Sequence, residues 1–283
     1  MDRHPYFDLW LHSDAELAAF FPVPLAGRET LHEWPLSCVQ RLTLADGSRW
    51  IYKAQTTEGV EAAFYARARS PLLPICRDLG VYQNTSTLLF EYIDAPLLSQ
   101  SMRTEAEALA HADRLEADIG QITGDPPVYQ DLGTFERWQA FAVLACRQLD
   151  TLIADGRFVQ VRKESLSALL DWAGRGAVRA AFSVTALAHA DLSAENVFLT
   201  PDCTRPAYRV IDWQFPRRIA AGFDSVGLLE SLGLDPLLYI PAALVGIHHF
   251  VRLAWFTDCQ ARLFPAGETY DVSCAGLIAR ILS

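Results

Sequence analysis

The chain has 283 residues, 51% hydrophobic and 20% charged, with a formal net charge of −10. This content suits one large folded domain or two lobes sharing a cleft, and excludes a disordered chain. The acidic balance leaves no basic stripe to neutralise phosphates, which argues against a nucleic-acid partner and is compatible with a cationic small substrate.

The opening stretch MDRHPYFDLWLHSDAE carries acids and lacks an apolar core segment, so it reads as no signal peptide. Cys38 to Gln55 reads as a hairpin: CVQRLTL, the turn ADGS, then RWIYKAQ. Asp46-Gly47 is its turn signal. On the second strand Arg49, Ile51, Lys53 and Gln55 share one face by the two-residue period. TTEGVEAAFYARARS follows as a helix with Thr56 or Thr57 as N-cap, ended by Pro71 and Pro74. Ser86 to Ile93 is the next strand, cut off by Asp94-Ala95-Pro96.

Beyond Asp94 the pattern turns helical. TEAEALAHADRLEADIGQI carries apolar residues at helical spacing, with Thr104 and Glu107 able to form a capping box. Helices are also expected over Phe135–Asp155 and Glu164–Gly174, then short strands TALAHAD, NVFLT and YRVIDW, then mostly helix from Phe223. The apolar run Leu237–Ile247 is too short to span a membrane and reads as a buried helix. The expected division is a strand-rich lobe over 1–93 and a helical lobe over 94–283. Cys38, Cys76, Cys146, Cys203, Cys259 and Cys274 form no C-x-x-C pair, so reduced thiols and a cytoplasmic protein are expected.

Two segments stand out: HADLSAENVF, His189 to Phe198, and VIDW, Val210 to Trp213. They set Asp191, Asn196 and Asp212 inside apolar frames. Buried carboxylates and amides need partners, so this pattern implies a cation, a phosphate or a hydrogen-bonded network. The oxygens of Asn196 and Asp212 are hard ligands suited to Mg²⁺. Phosphoryl transfer requires cations, in-line positioning and a group to orient the attacking hydroxyl. A strand lysine steadied by a helix glutamate would complete such a set, and Lys53 and Glu61 are placed for it, with Glu58 a rival for Glu61.

HADLSAEN is similar to the H-x-D-x-x-x-x-N catalytic loop of protein kinase-like folds, and IDW stands where those folds carry D-F-G. The D-W form resembles the aminoglycoside phosphotransferase and choline kinase-like family. WIYK, VEAAFY, LLFEYI and FDSVGLL agree in order, so the resemblance runs from about Lys53 to Asp224. It implies an α+β, two-lobed protein kinase-like fold with a small β-rich N-lobe and a larger, mainly helical C-lobe. It also implies a kinase using ATP or GTP with Mg²⁺ to phosphorylate a hydroxyl of an aminoglycoside, amino alcohol, sugar or related metabolite. Asp191 would be the catalytic base or the carboxylate that orients the acceptor, with Asn196 and Asp212 holding Mg²⁺. Lys53 would contact the phosphates and pair with Glu61. Glu91 and Ile93 would meet the adenine edge, and Ile51 would roof it. His189 would support the loop.

The chain departs from the family where it carries Ala190 after the loop histidine and Ser193-Ala194-Glu195 before Asn196. The phosphate-covering stretch PLAGRETLHEWPLS has a single glycine, Gly27, which also fits a kinase fold that binds nucleotide or a partner without catalysis. About a dozen residues separate Asp212 from Asp224, which leaves little room for the activation segment of a protein kinase. The acceptor pocket is expected between the catalytic loop and the C-terminal helices, where Glu230, Asp235, Asp258, Glu268 and Asp271 could favour a cationic acceptor. Asp224 is read as a helix cap, His248 and His249 as core or pocket residues, and Trp213 and Trp255 as core.

Overall fold

The computed structural model describes residues 1–101, 104–200, 207–265 and 270–283. The chain forms two compact units. The first comprises Met1–Ser101, Gln121–Tyr129 and Glu195–Phe215, and the second Met102–Gly120, Gln130–Ala194 and Pro216–Ser283. The elements begin with β1 (Asp2–Arg3), β2 (Trp10–Leu11), α1 (Asp14–Ala18), β3 (Leu25–Trp34), β4 (Ser37–Leu44), β5 (Arg49–Thr56), α2 (Glu61–Arg67), β6 (Cys76–Tyr82) and β7 (Thr85–Glu91). Next come α3 (Leu98–Ser101), α4 (Glu105–Ile119), β8 (Gln130–Asp131), α5 (Phe135–Ala154), α6 (Ser165–Ala173), α7 (Gly176–Ala181) and β9 (Thr185–Ala188). The last are β10 (Val197–Thr200), β11 (Ala207–Val210), β12 (Arg217–Ala220), α8 (Phe223–Ser231), α9 (Ala242–Asp258) and α10 (Asp271–Leu282).

The first unit is built on an antiparallel sheet of order β3-β4-β5-β7-β6. The expected hairpin is β4–β5, and Gly47 takes φ 84° at its turn, where a side chain would be strained. Leu42, Tyr52, Ala54 and Leu89 pack with Leu17 on one face of the sheet. By the strand period, Lys53 therefore points to the opposite face. Strand β3 arises from the segment read as a phosphate-covering loop. It is polar, mostly exposed and bulged, and so carries little alternation to read. Strand β6 was likewise not expected, since a bulge between Asp78 and Gly80 interrupts its pattern. Helix α2 starts at Glu61, with Val60 and not Thr56 or Thr57 at its N-cap. The cause is tertiary: the Val60 N–H donates to the Gln214 carbonyl at 3.0 Å.

The second unit is helical around one core. Trp138 of α5 is fully buried against Trp172, Phe182 and Phe250. Thr104 and Glu107 form the expected capping box on α4, and Thr134 caps α5. A short sheet of order β8-β12-β9 lies in the same unit. The run Leu237–Ile247 is not one helix. A 3-10 turn covers Pro236–Leu238, and α9 begins only after Pro241. Leu237 and Leu238 are exposed, at 54% and 72%, so apolarity did not mark burial there. Among the described residues no helix is long and apolar enough to cross a membrane.

The five described cysteines are free, and Cys203 lies outside the described residues. Burial pushes the Cys38 and Cys146 thiols up to about 11 and those of Cys259 and Cys274 up to about 12, so these are protonated packing groups.

Asp271 fastens α10 to a distant loop. Its carboxylate accepts the backbone N–H groups of Val159, Gln160 and Val161 at 2.8, 2.7 and 3.2 Å. Asp271→Ala leaves these donors without that acceptor and should cost about 1–3 kcal/mol. Urea unfolding of the variant checks this, with a lower midpoint at unchanged slope as the expected outcome.

Candidate functional site

Lys53 lies on the central strand β5 and is only 7% exposed. A buried ammonium requires anionic partners. Its Nζ donates to Glu61 Oε2 and to Asp212 Oδ1, each at 2.6 Å. Burial alone would lower the Lys53 pKa, but Asp212 and Glu61 outweigh it and hold the ammonium well above its usual range. Glu61 is 1% exposed, and burial raises its carboxyl against the pull of Lys53. The ammonium meets Glu61 and not Glu58, because Glu61 opens α2 with its side chain buried while Glu58 is exposed. The side chain of Asp212 is 39% exposed, so this end of the cluster is open to solvent.

Asp212 follows β11, and Asn196 precedes β10. These strands pair with Val197 opposite Val210, and the Ile211 N–H donates to the Asn196 carbonyl at 3.0 Å. The hairpin register thus brings Asn196 and Asp212 to the same end. A carboxylate and an amide oxygen are the kind of hard donors that Mg²⁺ takes. Asp212 takes φ 68°, a left-handed conformation that Asp tolerates better than most residues. The residues after it fasten the strand to α2. Trp213 is fully buried, stacks on Phe64 at 4.6 Å and 9°, and donates its Nε1–H to the Val210 carbonyl at 3.0 Å. A Cβ on Gly59 would stand 2.5 Å from Gln214 Cγ and 2.7 Å from its carbonyl oxygen. Only glycine permits that approach.

Asp191 belongs to the second unit, as do the groups that shape its loop. The Asp224 carboxylate accepts from the His189 N–H at 2.6 Å and the Ala190 N–H at 2.8 Å. Asp224 therefore ties down the loop instead of capping its own helix, whose N-cap is Gly222. The Asp191 N–H donates to His189 Nδ1 at 3.3 Å, and the Ala194 N–H to Ser231 Oγ at 2.9 Å. Sequence reading missed Ser231, and also Glu116, which accepts from the Gly222 N–H at 2.7 Å. Both act across long separations that no local pattern reveals. Ala190 sits at φ 69°. A left-handed backbone at this point explains why glycine suits the position and why alanine there is strained.

The remaining expected residues lie in the first unit. Ile51 is half-buried on β5, opposite Arg41 and Phe90. Glu91 ends β7, donates its N–H to the Ile75 carbonyl at 3.0 Å and accepts the Ile75 N–H at 3.0 Å. Ile93 falls just beyond the strand. Arg49 holds that stretch by stacking on Tyr92 at 4.0 Å and pairing with Asp94 at 2.9 Å. The turn joining β3 to β4 is Pro35-Leu36, without glycine.

The acids expected to attract a cationic acceptor are largely engaged. Glu230 meets His249, Arg252 and Arg280, and Asp258 meets Arg262 and Gln148. Asp235 caps the 3-10 turn, Asp271 holds the 159–161 loop, and Glu268 lies outside the described residues. A cavity of about 970 Å³ in the second unit is lined by Trp172, Arg175, Glu230, Asp235, His249 and Arg280. Both charge signs appear on its wall, which argues against selection for a strongly cationic molecule.

Two outcomes follow from this loop. Ala190→Gly relieves the left-handed strain and should stabilise the chain by about 1 kcal/mol, read as a raised urea midpoint. Burial, then Glu116, pushes the Asp224 carboxyl up to about 8, against the two N–H groups that lower it. Its folded pKa exceeds an unfolded value of about 3.9, so its stabilising contribution is full below that value and is lost as pH rises through about 8. Glu116→Gln removes the neighbouring charge and should flatten the decline in unfolding free energy measured between about pH 5 and pH 8.

No family model matches the chain, and no curated protein matches it in sequence. Solved structures do match it. A thermostable mutant of an aminoglycoside phosphotransferase, in ternary complex with ADP and hygromycin B, superposes with a TM-score of 0.61 at 15% identity, covering 95% of this chain and 97% of that one. A choline/ethanolamine kinase family protein from Mesorhizobium loti gives 0.61 at 18% identity, over 95% and 92%. A type I macrolide 2′-phosphotransferase gives 0.63 at 16% identity, over 93% and 94%. With its β-sheet N-terminal region and helical C-terminal region, the chain has the α+β, protein kinase-like fold of these phosphotransferases.

Proposed function

We propose that the chain is a small-molecule kinase that transfers the γ-phosphoryl group of ATP, with Mg²⁺, to a hydroxyl group. The observation that carries this reading is the buried Lys53 ammonium held between Glu61 and Asp212 at 2.6 Å each. A cation fixed beside a solvent-accessible carboxylate suits a metal–nucleotide phosphate group. The ADP-bound aminoglycoside phosphotransferase of the same fold supports nucleotide use.

In this reading Lys53 binds the nucleotide phosphates and Glu61 fixes its position. Asn196 and Asp212 would hold Mg²⁺, which spreads the charge of the transferring group. Asp191 accepts the proton of the acceptor hydroxyl as that oxygen attacks phosphorus and ADP leaves. Asp224 fixes the backbone preceding Asp191 through the N–H groups of His189 and Ala190. Ile51, Glu91 and Ile93 form the adenine side. The acceptor is a hydroxyl-bearing small molecule of the aminoglycoside, amino alcohol, sugar or related class. Glu230, Asp258 and Asp271 already have partners, so these acids do not choose its charge. The glycine-free Pro35-Leu36 turn favours one rival, a kinase fold that binds nucleotide or a partner without turnover.

Thermal unfolding with ATP, GTP or ADP, with and without Mg²⁺, tests the nucleotide site first. Ligand at a hundred times its dissociation constant should add about 2.7 kcal/mol, and Asp212→Asn should abolish the Mg²⁺-dependent part. An acceptor panel then separates the readings. Asp191→Ala should lower turnover about 100- to 10,000-fold while nucleotide binding persists. Nucleotide binding without turnover on any acceptor would favour the rival. No shift with any nucleotide would sink the kinase reading and favour a degenerate fold that binds a partner.

A further inference from the structure

Glu230, His248 and His249 form a cluster that the proposed reaction does not use. Glu230 lies on α8, and the two histidines are consecutive on α9. Adjacent residues on a helix project about 100° apart, which ordinarily separates their side chains. Here one donor atom from each of the three residues falls within 4.8 Å of the others. His248 is 6% exposed and His249 4%. The Nδ1 atoms of both rings are buried with no hydrogen-bond partner. An imidazole nitrogen buried without a partner is costly, and that of His248 demands an explanation, while His249 already turns its Nε2 toward Glu230.

A core role does not supply one. His248 packs against the Phe223 ring at 5.1 Å and crowds Gly227, where a Cβ would stand 3.0 Å from its Nε2. Phenylalanine or leucine would fill such a site without an orphaned nitrogen. His249 Nε2 lies 2.7 Å from Glu230 Oε1, and both residues line the cavity of about 970 Å³. An ion therefore has a path in, and water has room to complete its coordination.

We propose that Glu230, His248 and His249 bind one zinc-class divalent cation at the edge of this cavity. Two imidazoles and a carboxylate are the donors of open zinc sites, whereas Mg²⁺ prefers oxygen ligands. Zinc–ligand bonds of about 2.0–2.2 Å place neighbouring donors roughly 3.4 Å apart, so binding replaces the 2.7 Å Glu230–His249 contact with a slightly wider separation. Two guanidiniums oppose the ion: Arg252 at 3.3 Å and Arg280 at 3.5 Å from the Glu230 carboxylate. Both are exposed enough to swing away, with side chains 49% and 64% accessible. The site depends neither on nucleotide nor on turnover.

The test is titration of the full, chelator-treated chain with Zn²⁺ by calorimetry and with Co²⁺ by visible absorption, using Mg²⁺ as the control ion. One Zn²⁺ per chain is expected, with a Co²⁺ spectrum free of thiolate charge transfer. Glu230→Gln and His249→Gln should each weaken Zn²⁺ binding roughly a hundredfold or more while the circular dichroism stays that of the parent. Arg252→Ala removes the opposing charge that pairs with Glu230, leaves all three ligands in place and should tighten binding, an effect that damage to the fold would not produce. Unaltered affinity in either ligand variant, a thiolate band, or no saturable binding at one equivalent would overturn the proposal.

Discussion

A lysine inside a β-sheet protein has to be neutralised where it stands. Lys53 is neutralised by residues from two distant parts of the chain, eight and 159 positions away. Removing either carboxylate would leave charge uncompensated in a buried setting, where a broken pair costs several kcal/mol. Helix α2 must therefore begin at Glu61, and the β10–β11 hairpin must deliver Asp212 to the same point. The Gly59–Gln214 approach and the Phe64–Trp213 stack follow from that demand, since both hold the Asp212 segment against α2.

The second unit fixes its loop with a buried acid in place of a buried ammonium. Asp224 is 2% exposed and faces backbone N–H groups instead of a cation. Two N–H dipoles orient the chain before Asp191 at the cost of a carboxyl held far from its ordinary acidity. The strained Ala190 backbone sits between those two contacts and Asp191. Strain of this kind persists only where the surroundings over-determine the conformation.

The fold was legible because its signals are local. HADLSAEN and VIDW fixed the class, Thr104 and Glu107 announced α4, and Asp46-Gly47 announced the β4–β5 turn. What escaped reading was decided at a distance or by exposure. Strand β3 is an exposed edge with no apolar alternation, and β6 is broken by a bulge. The start of α2 is set by a carbonyl more than 150 residues away, not by the threonines that precede it. The Leu237–Ile247 run mixes exposed leucines with a helix that Pro241 delays. At the candidate site, the residue types and their order could be read. The supports Glu116, Ser231 and Gln214 could not, because a hydrogen bond to a remote backbone atom leaves no trace in spacing.

The interleaving of the two units bears on how the chain emerges from the ribosome. Residues 195–215 belong to the same compact unit as the N-terminal sheet. That unit cannot close until about three quarters of the chain has been synthesised. Until then the nascent sheet exposes Lys53 and Glu61 without Asp212, and Phe64 without Trp213. Domain-by-domain folding during translation is thus denied to this architecture. Closure of the first unit awaits a long-range encounter, the slow class of step in proteins dominated by non-local contacts.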